Sequence, residues 1–492
     1  MKIKKLKYIV TMIAILSVAS SCDEFDVETT NPNTPLSVAN NPELVLTNIQ
    51  KDVADRLVND AWNDANLMAQ YSARIVFTAF DQFEWGDNGG LWQTMYRNIR
   101  NAQQLYDNAV ETEHMSYQAV SLILKSWMFQ VLTDIYGDVP YSEAVSARQE
   151  EPIIQPKYDA QRDIYLGILA DLEKANSILG SAGLPAIRGD IYNGEDLDKW
   201  RKFANSLRLR AYLRLSEVEP QMAQTGISNI FSNKSGNPYV ESNDDNITLT
   251  YLSTNPNVHP RSEASGYRVG SFNEYRMSET LENVLKSFDD PRMMRWFEPT
   301  AKSVENGNPE WAGMLNGVVD GTAYSYKGGD AFLSKFGDIF YFEPNTVEAM
   351  LFMASESHFI LAEAAQRGWI SSDAKSHYDA GILANFQYWG VDMPGDYLTR
   401  PGVAYDGDLE TIITQKWLSL LYVDYQGFCE FKRTGYPSTI KPGPDAFYPE
   451  YPSRYLFPNN EQQSNNENRL AAVQNMGASD DDIRTSVWWE GD

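Results

Sequence analysis

The sequence predicts a mainly α-helical protein: an α-solenoid of tetratricopeptide-like helix pairs that carries an irregular, loop-rich lobe. Three observations support that expectation. Apolar residues recur along most of the chain at the spacing of one helix face. The helical windows come in pairs joined by short turns, as stacked helix-pair repeats require, although the tetratricopeptide consensus itself is absent. Two stretches, 232–275 and 298–346, break the pattern with Asn, Gly, Ser and aromatic residues. Long loops of that kind inside a compact domain are usually functional.

Residues 1–21 read as an export signal. Lys2, Lys4, Lys5 and Lys7 give a basic start, Tyr8 to Val18 an apolar run, and Ala19, Ser20 and Ser21 small residues before Cys22. The run is well short of the ~20 residues of a spanning helix. Residues 22–42 begin with DEFD and continue rich in Asn, Pro and Thr, the composition of a flexible tether. A single folded domain is expected over 43–492, opening where Leu46, Ile49, Val53 and Leu57 recur at helical spacing. Length alone fits about three domains, yet no interior linker divides the chain.

Helices are expected over 91–110 and 117–136. Over 158–175, Tyr165, Ile168, Leu172 and Ala175 mark one face; over 196–216, Trp200, Phe203, Leu207 and Ala211 do so, with Arg208, Arg210 and Arg214 elsewhere. Further helices fit 276–287, 356–369, 372–389 and 408–423. In the second of these, Ala362, Ala364 and Ala365 permit close helix approach and Gly368 suits a C-cap. Ser372 suits an N-cap for the third. The tail from Gly435 onward, punctuated by prolines, reads as irregular.

With 67 acidic and 41 basic residues the net charge is −26, and removal of the four signal lysines takes it to −30. That charge argues against nucleic acid, whose phosphates need a Lys/Arg surface, and against polybasic adhesion to an anionic membrane. The only cysteine besides Cys22 is Cys429, so no disulfide framework exists. Cys429, among aromatics, reads as a buried small hydrophobe. No stretch after Cys22 approaches spanning length, so lipid at Cys22 is the available membrane attachment. One fatty chain gives only marginal binding; several would suffice.

Enzyme motifs are missing: no GxSxG elbow, no HExxH, no Gly-rich phosphate loop. His114, His259, His358 and His377 lack metal-ligand spacing. Ser372 and Lys375 match S-x-x-K without its companion motifs. Among so many carboxylates a glycosidase pair is conceivable, but nothing singles one out. In YGDVPY, Gly137 would end a helix and Pro140 fix the chain's exit, with Asp138 as structural anchor or, alternatively, a ligand or metal contact. The Lys432–Arg433–Thr434–Gly435 turn reads as an internal ion pair.

A binding site is better supported. Aromatic rings match the flat faces of sugars, and Asn, Asp and Arg their hydroxyl edges. The segment 77–96 sets Phe80, Phe83, Trp85 and Trp92 among Asp81, Asp87 and Asn88 around glycines, which places Trp85 at an exposed loop tip. Trp92 and Tyr96, at helical spacing, read as core. A second patch, 308–332, offers Trp311, Tyr324 and Tyr326. The ligand-binding candidates are therefore Phe83, Trp85, Asp87, Asn88, Trp311, Tyr324 and Tyr326. Asp81, Glu84, Asp87 and Asn88 could alternatively hold calcium, with a solvated acidic loop the preferred reading. No cofactor is expected.

Several of these segments together carry a family resemblance. LTDIYGDVPYSEA (132–144), TTNPNTP near the N-terminus, KWRKFANSLRLR, RMSETLENVLKSFDDPR (276–292) and HFILAEAAQRG are part of it. QKWLSLLYVDYQGFCEFKRTGYP (415–437), PSRYLFPNNEQQSNNEN (452–468) and the closing TSVWW complete it. The chain resembles the SusD/RagB-like outer-membrane lipoproteins of Bacteroidetes, in particular their divergent SusD-like branch, over essentially its whole mature length. Cys429 departs from the family pattern, where Trp is expected. Cys22 resembles the lipid-bearing cysteine of a bacterial lipobox, with Ala19 standing where Leu is usual, and DEFD resembles a signal for the outer face. The resemblance implies a non-enzymatic lid of a SusC-like TonB-dependent barrel, capturing glycan or, alternatively, peptide. A surface glycan hydrolase is the reading from a different class, and a purely structural lipoprotein the third.

Overall fold

The computed structural model describes residues 41–148, 151–343, 345 and 347–491. The expected signal at 1–21, Cys22 and the tether up to Asn40 lie outside the described residues. Pro42–Asp492 form one compact unit.

Helix α1 (Pro42–Asp60) buries Leu46, Ile49, Val53 and Leu57, the face expected from its spacing. It runs without a break into a π-helical turn, Ala61–Ala65. Then come α2 (Gly89–Glu111), α3 (Met115–Tyr136), α4 (Gln161–Leu179), α5 (Leu197–Arg214) and α6 (Pro220–Ser232). Each packs on the one before it, and α1 packs on α2, which is the nearest-neighbour logic of a solenoid. Helix α3 is buried almost all round because α2 and α4 cover opposite sides of it and α5 also touches it; its sequence is apolar to match. After α7 (Glu279–Ser287), a second helical group comprises α8 (Ala354–Gln366), α9 (Ala374–Tyr388), α10 (Leu409–Ser419) and α11 (Gln426–Thr434). It joins the first through α5 against α8.

That junction is electrostatic as well as apolar. Trp200, Phe203, Leu207 and Ala211 of α5 are buried as expected, but Arg208, Arg210 and Arg214, read as lying elsewhere on the helix, are buried too. Arg210 grips Glu356 of α8 with two bonds of 2.6 and 2.7 Å. Arg214 reaches Glu430 of α11 at 3.3 Å. Arg433 binds Glu363 at 2.6 Å and Glu430 at 2.7 Å, and Lys416 lies 2.9 Å from Glu430. Burial alone would raise the Glu430 carboxyl; Arg433, Lys416 and Arg214 outweigh it and hold it well below the ordinary range. The internal ion pair expected at Lys432–Gly435 is thus Arg433's.

Helix ends follow the expected chemistry with one correction. Gly137 closes α3 at φ +83°, donating to the Thr133 carbonyl at 2.9 Å. That conformation favours glycine, and a Cβ there would also press on the flexible Met476 side chain. Gly368, at φ +74°, follows α8 as a C-cap. The N-cap of α9 is Asp373, whose carboxylate accepts from Ser376 N at 3.0 Å, not Ser372. Ser372 sits one residue too early and its hydroxyl instead meets His377 Nε2 at 2.9 Å. Asp138 accepts from Gln161 N at 2.8 Å and from Asn475 Nδ2, an anchoring role. Cys429 is fully buried.

The tail is less irregular than its prolines imply: α12 (Asn466–Asn475) lies within it, led by a short helix at Asn459–Ser464. Two antiparallel ribbons went unforeseen. Strand β1 (Ser72–Arg74) pairs with β3 (Tyr275–Met277), Ser72 opposite Met277; β2 (Ile247–Leu249) pairs with β4 (Ala349–Phe352). Strands this short show no alternation to read. They tie the loop-rich stretches to the helices. Among the described residues no helix is long and apolar enough to cross a membrane.

Candidate ligand-binding face

The glycine-rich loop does not present Trp85. The chain turns back on itself after Phe77: Gln82 N donates to Thr78 O, Phe83 N to Phe80 O and Glu84 N to Ala79 O. This sends Trp85 inward, where it is 5 % exposed. Its indole N–H donates to the Phe80 carbonyl at 3.1 Å, its ring stacks on Phe80 at 5.5 Å, and Phe428 meets it edge-on. The exposed tip expected at Trp85 is therefore corrected to Phe77, which is 64 % exposed at φ +56°, an uncommon conformation for a bulky residue.

The neighbouring candidates are also structural. Phe83 is buried edge-on against Tyr451. Asp87 accepts from Gly89 N at 3.1 Å and Asn459 N at 2.9 Å. Asn88 caps α2 by accepting from Leu91 N at 3.2 Å, and donates to Asp64 and Tyr425. Burial pushes the Asp81 carboxyl up to about 7, against the Arg74 backbone N–H and Asn316 that donate to it. Among the described residues no three acidic, His or Cys side chains are arranged to hold a metal ion; Asp81, Glu84, Asp87 and Asn88 do not converge as a calcium site would need.

In the second patch Trp311 is half-buried and donates to the Phe297 carbonyl at 2.9 Å, and Tyr326 is half-buried and donates to Glu279 at 2.9 Å. Tyr324 stands 73 % exposed. The two loops singled out in the sequence meet. Thr78 donates from its backbone and hydroxyl to Asp320 at 2.8 and 2.9 Å, and Asn316 Nδ2 donates to Asp81 at 3.1 Å. Beneath them Ala73, Met314, Val318, Ala323 and Leu333 form a small apolar core.

Beside this junction opens a cavity of about 410 Å3, within the range of small-ligand sites. Its lining comes from four separate stretches of chain. Asn63 and Asp64 reach it from the π-helical turn, a helix irregularity that often marks functional positions because it re-aims side chains. Arg74, from β1, lies between the rings of Phe77 at 5.8 Å and Tyr275 at 5.1 Å, and pairs with Glu274. Arg261 lies over Tyr267, 4.6 Å from the ring centre. Phe80, Ser271 and Tyr275 complete the wall. Tyr275 donates to Asn63 at 3.2 Å, and Asp64 accepts from Tyr455 at 2.8 Å. Burial pushes Asp64 up, opposed by Tyr455 and Arg56; neighbouring Asp60, fully buried beside Arg56, rises to about 7.

Rings, guanidinium groups and amides converging on one hollow can hold a ring-bearing, hydroxyl-rich molecule by stacking and hydrogen bonds. Sequence reasoning missed Asn63, Asp64, Phe77, Arg74 and Tyr275, since neither the π-helical turn nor the β1–β3 pairing leaves a periodic signal. Arg261 and Tyr267 fall in the 232–275 loop, whose length did mark it as functional.

Residues 32–458 match a SusD-like family described as "Starch-binding associating with outer membrane". The chain belongs to this SusD-like family. No curated protein sequence matches it significantly. Among solved structures, a chitin-binding protein superposes with a TM-score of 0.80 at 28 % identity, covering 92 % of this chain and 99 % of its own. A SusD homologue from Bacteroides fragilis gives 0.74 at 28 %, covering 91 % and 99 %. A chitin-binding SusD homologue from Flavobacterium johnsoniae gives 0.75 at 24 %, covering 90 % and 98 %. The SusD-like fold, helical with loop-rich insertions, is the one the sequence predicted.

Proposed function

We propose that this SusD-like protein captures a glycan on the face formed by Phe77, Tyr324 and the Arg74–Arg261 cavity, and serves as the lid of a SusC-like TonB-dependent transporter. In this reading it is held on the outer face of the outer membrane by lipid on Cys22. The observation that carries it is the exposure of Phe77 and Tyr324 on two interlocked loops next to a cavity walled by aromatic rings and arginines. Two exposed rings beside a cavity walled by further rings can stack on sugar faces. The chitin-binding relative and the starch-binding description of the family favour glycan over peptide.

Calorimetric titration of the mature domain with chito- and malto-oligosaccharides tests the reading. Binding that weakens at least tenfold in Phe77→Ala or Tyr324→Ala, with no release of shorter sugars, supports it. Turnover of the oligosaccharide would point to a hydrolase, and selective binding of peptides to a peptide lid. Cys22→Ala is expected to move the protein from the membrane fraction to the soluble one, folded; retention on the membrane would remove the anchor from the proposal.

A further inference from the structure

The two arginines of the cavity are not equivalent. Arg74 is neutralised by Glu274. Among the described residues the Arg261 side chain makes no hydrogen bond and no ion pair; its Nε, like that of Arg74, is sealed from solvent without a partner. Its guanidinium lies over the Tyr267 ring at 4.6 Å, and its charge also acts across the cavity on Asp64, holding that carboxyl down against burial. This happens in a chain of net charge −26, where carboxylates to pair with are abundant. The carboxylates near the cavity are otherwise engaged: Glu274 with Arg74, and Asp64 with Tyr455 and Asn88. His259, adjacent in sequence, is driven down to about 3 by burial and by Arg261 itself, so it adds no competing charge. A guanidinium keeps its proton under all ordinary conditions, and leaving one partly desolvated and unpaired is costly. Its flat fork, immobilised on an aromatic ring, is shaped for two parallel bonds to a carboxylate.

We infer that the cavity selects an acidic sugar, a uronate residue whose carboxylate seats on Arg261 while its ring lies against the aromatic wall of Phe80, Tyr267 and Tyr275. This rests on the glycan-capture reading above and names the substrate class within it.

The test titrates the mature domain with tri-galacturonate and with the same trisaccharide after reduction of its carboxyl groups to alcohols. The wild type is expected to bind the acid about tenfold or more tighter, the scale of one charge-assisted bidentate contact, with the preference shrinking as salt rises. Arg261→Gln is expected to erase the preference for the acid, while an unchanged urea midpoint shows that the variant folds. Arg261→Lys keeps the charge without the fork and is expected to restore only part of it. Equal binding of acid and reduced sugar by the wild type, or a preference untouched by Arg261→Gln, overturns the acidic-sugar inference and leaves glycan capture standing. Binding of neither sugar, nor of the neutral oligosaccharides above, overturns both. Preferential binding of a peptide C-terminal carboxylate at Arg261 overturns the sugar assignment.

Discussion

The helical scaffold and the loop-rich face treat charge in opposite ways. Where α5, α8, α10 and α11 meet, Arg210, Arg214, Arg433 and Lys416 are each matched to Glu356, Glu363 or Glu430 in the interior. On the loop face the Arg261 side chain has no hydrogen-bond or ion-pair partner among the described residues, and Phe77 and Tyr324 are exposed. The scaffold's buried arginines and glutamates are paired with one another, away from the loop face. The loop face is rigidly pinned by hydrogen bonds, yet its outermost groups are unsatisfied. Rigidity and unsatisfied groups together are what preorganised binding requires.

This contrast can be broken at several points. The largest effect is expected from Arg433→Ala, which takes from Glu363 its fully buried partner and from Glu430 one of three cations; loss of one partner of a buried pair costs about 3–5 kcal/mol, read as a lower urea midpoint at unchanged slope. Trp85→Ala is expected to cost about 3 kcal/mol through its cavity, because the ring is core despite its loop setting. A stability change near zero would restore Trp85 as a ligand contact.

Asp81 gives a smaller, pH-dependent effect. Its folded pKa lies above the unfolded value, so the stability it contributes is complete below about 4 and is lost as pH rises through about 7. Asp81→Asn is expected to flatten that slope, gaining on the order of a few kcal/mol over the wild type at pH 8 relative to pH 4. Parallel stability curves from pH 4 to 8 would contradict this. The smallest change belongs to Phe77→Ala and Tyr324→Ala: within about 0.5 kcal/mol of wild type, while ligand affinity falls. A large loss of stability in either would merge the two regions that are contrasted here.

The helices were legible because period and burial coincide: Leu46, Ile49, Val53 and Leu57 in α1, or Trp200, Phe203, Leu207 and Ala211 in α5, mark their own faces. The burial of the α5 arginines was not legible, because a buried charge looks like a surface charge until its partner, distant in sequence, is known. The loops 77–96 and 308–332 were singled out separately, with no expectation that they meet, and the exposed ring is Phe77 where Trp85 was expected. Which ring points out depends on where the chain reverses, and that is set by the Thr78–Asp320 contact across 242 residues. Asx capping hid a third point: Asn88 and Asp87 are short polar residues beside glycines, a pattern that serves a helix start as well as a ligand.

The π-helical turn at Ala61–Ala65 amounts to an extra residue absorbed by a helix that otherwise continues. One residue corresponds to about 100° of helix rotation. It therefore uncouples two demands on a single segment: α1 keeps its apolar stripe toward the core while Asn63 and Asp64 point into the hollow. Deleting one residue there would present different side chains to the cavity without altering a single core contact of α1. In such a scaffold ligand preference can drift through chain length as readily as through substitution.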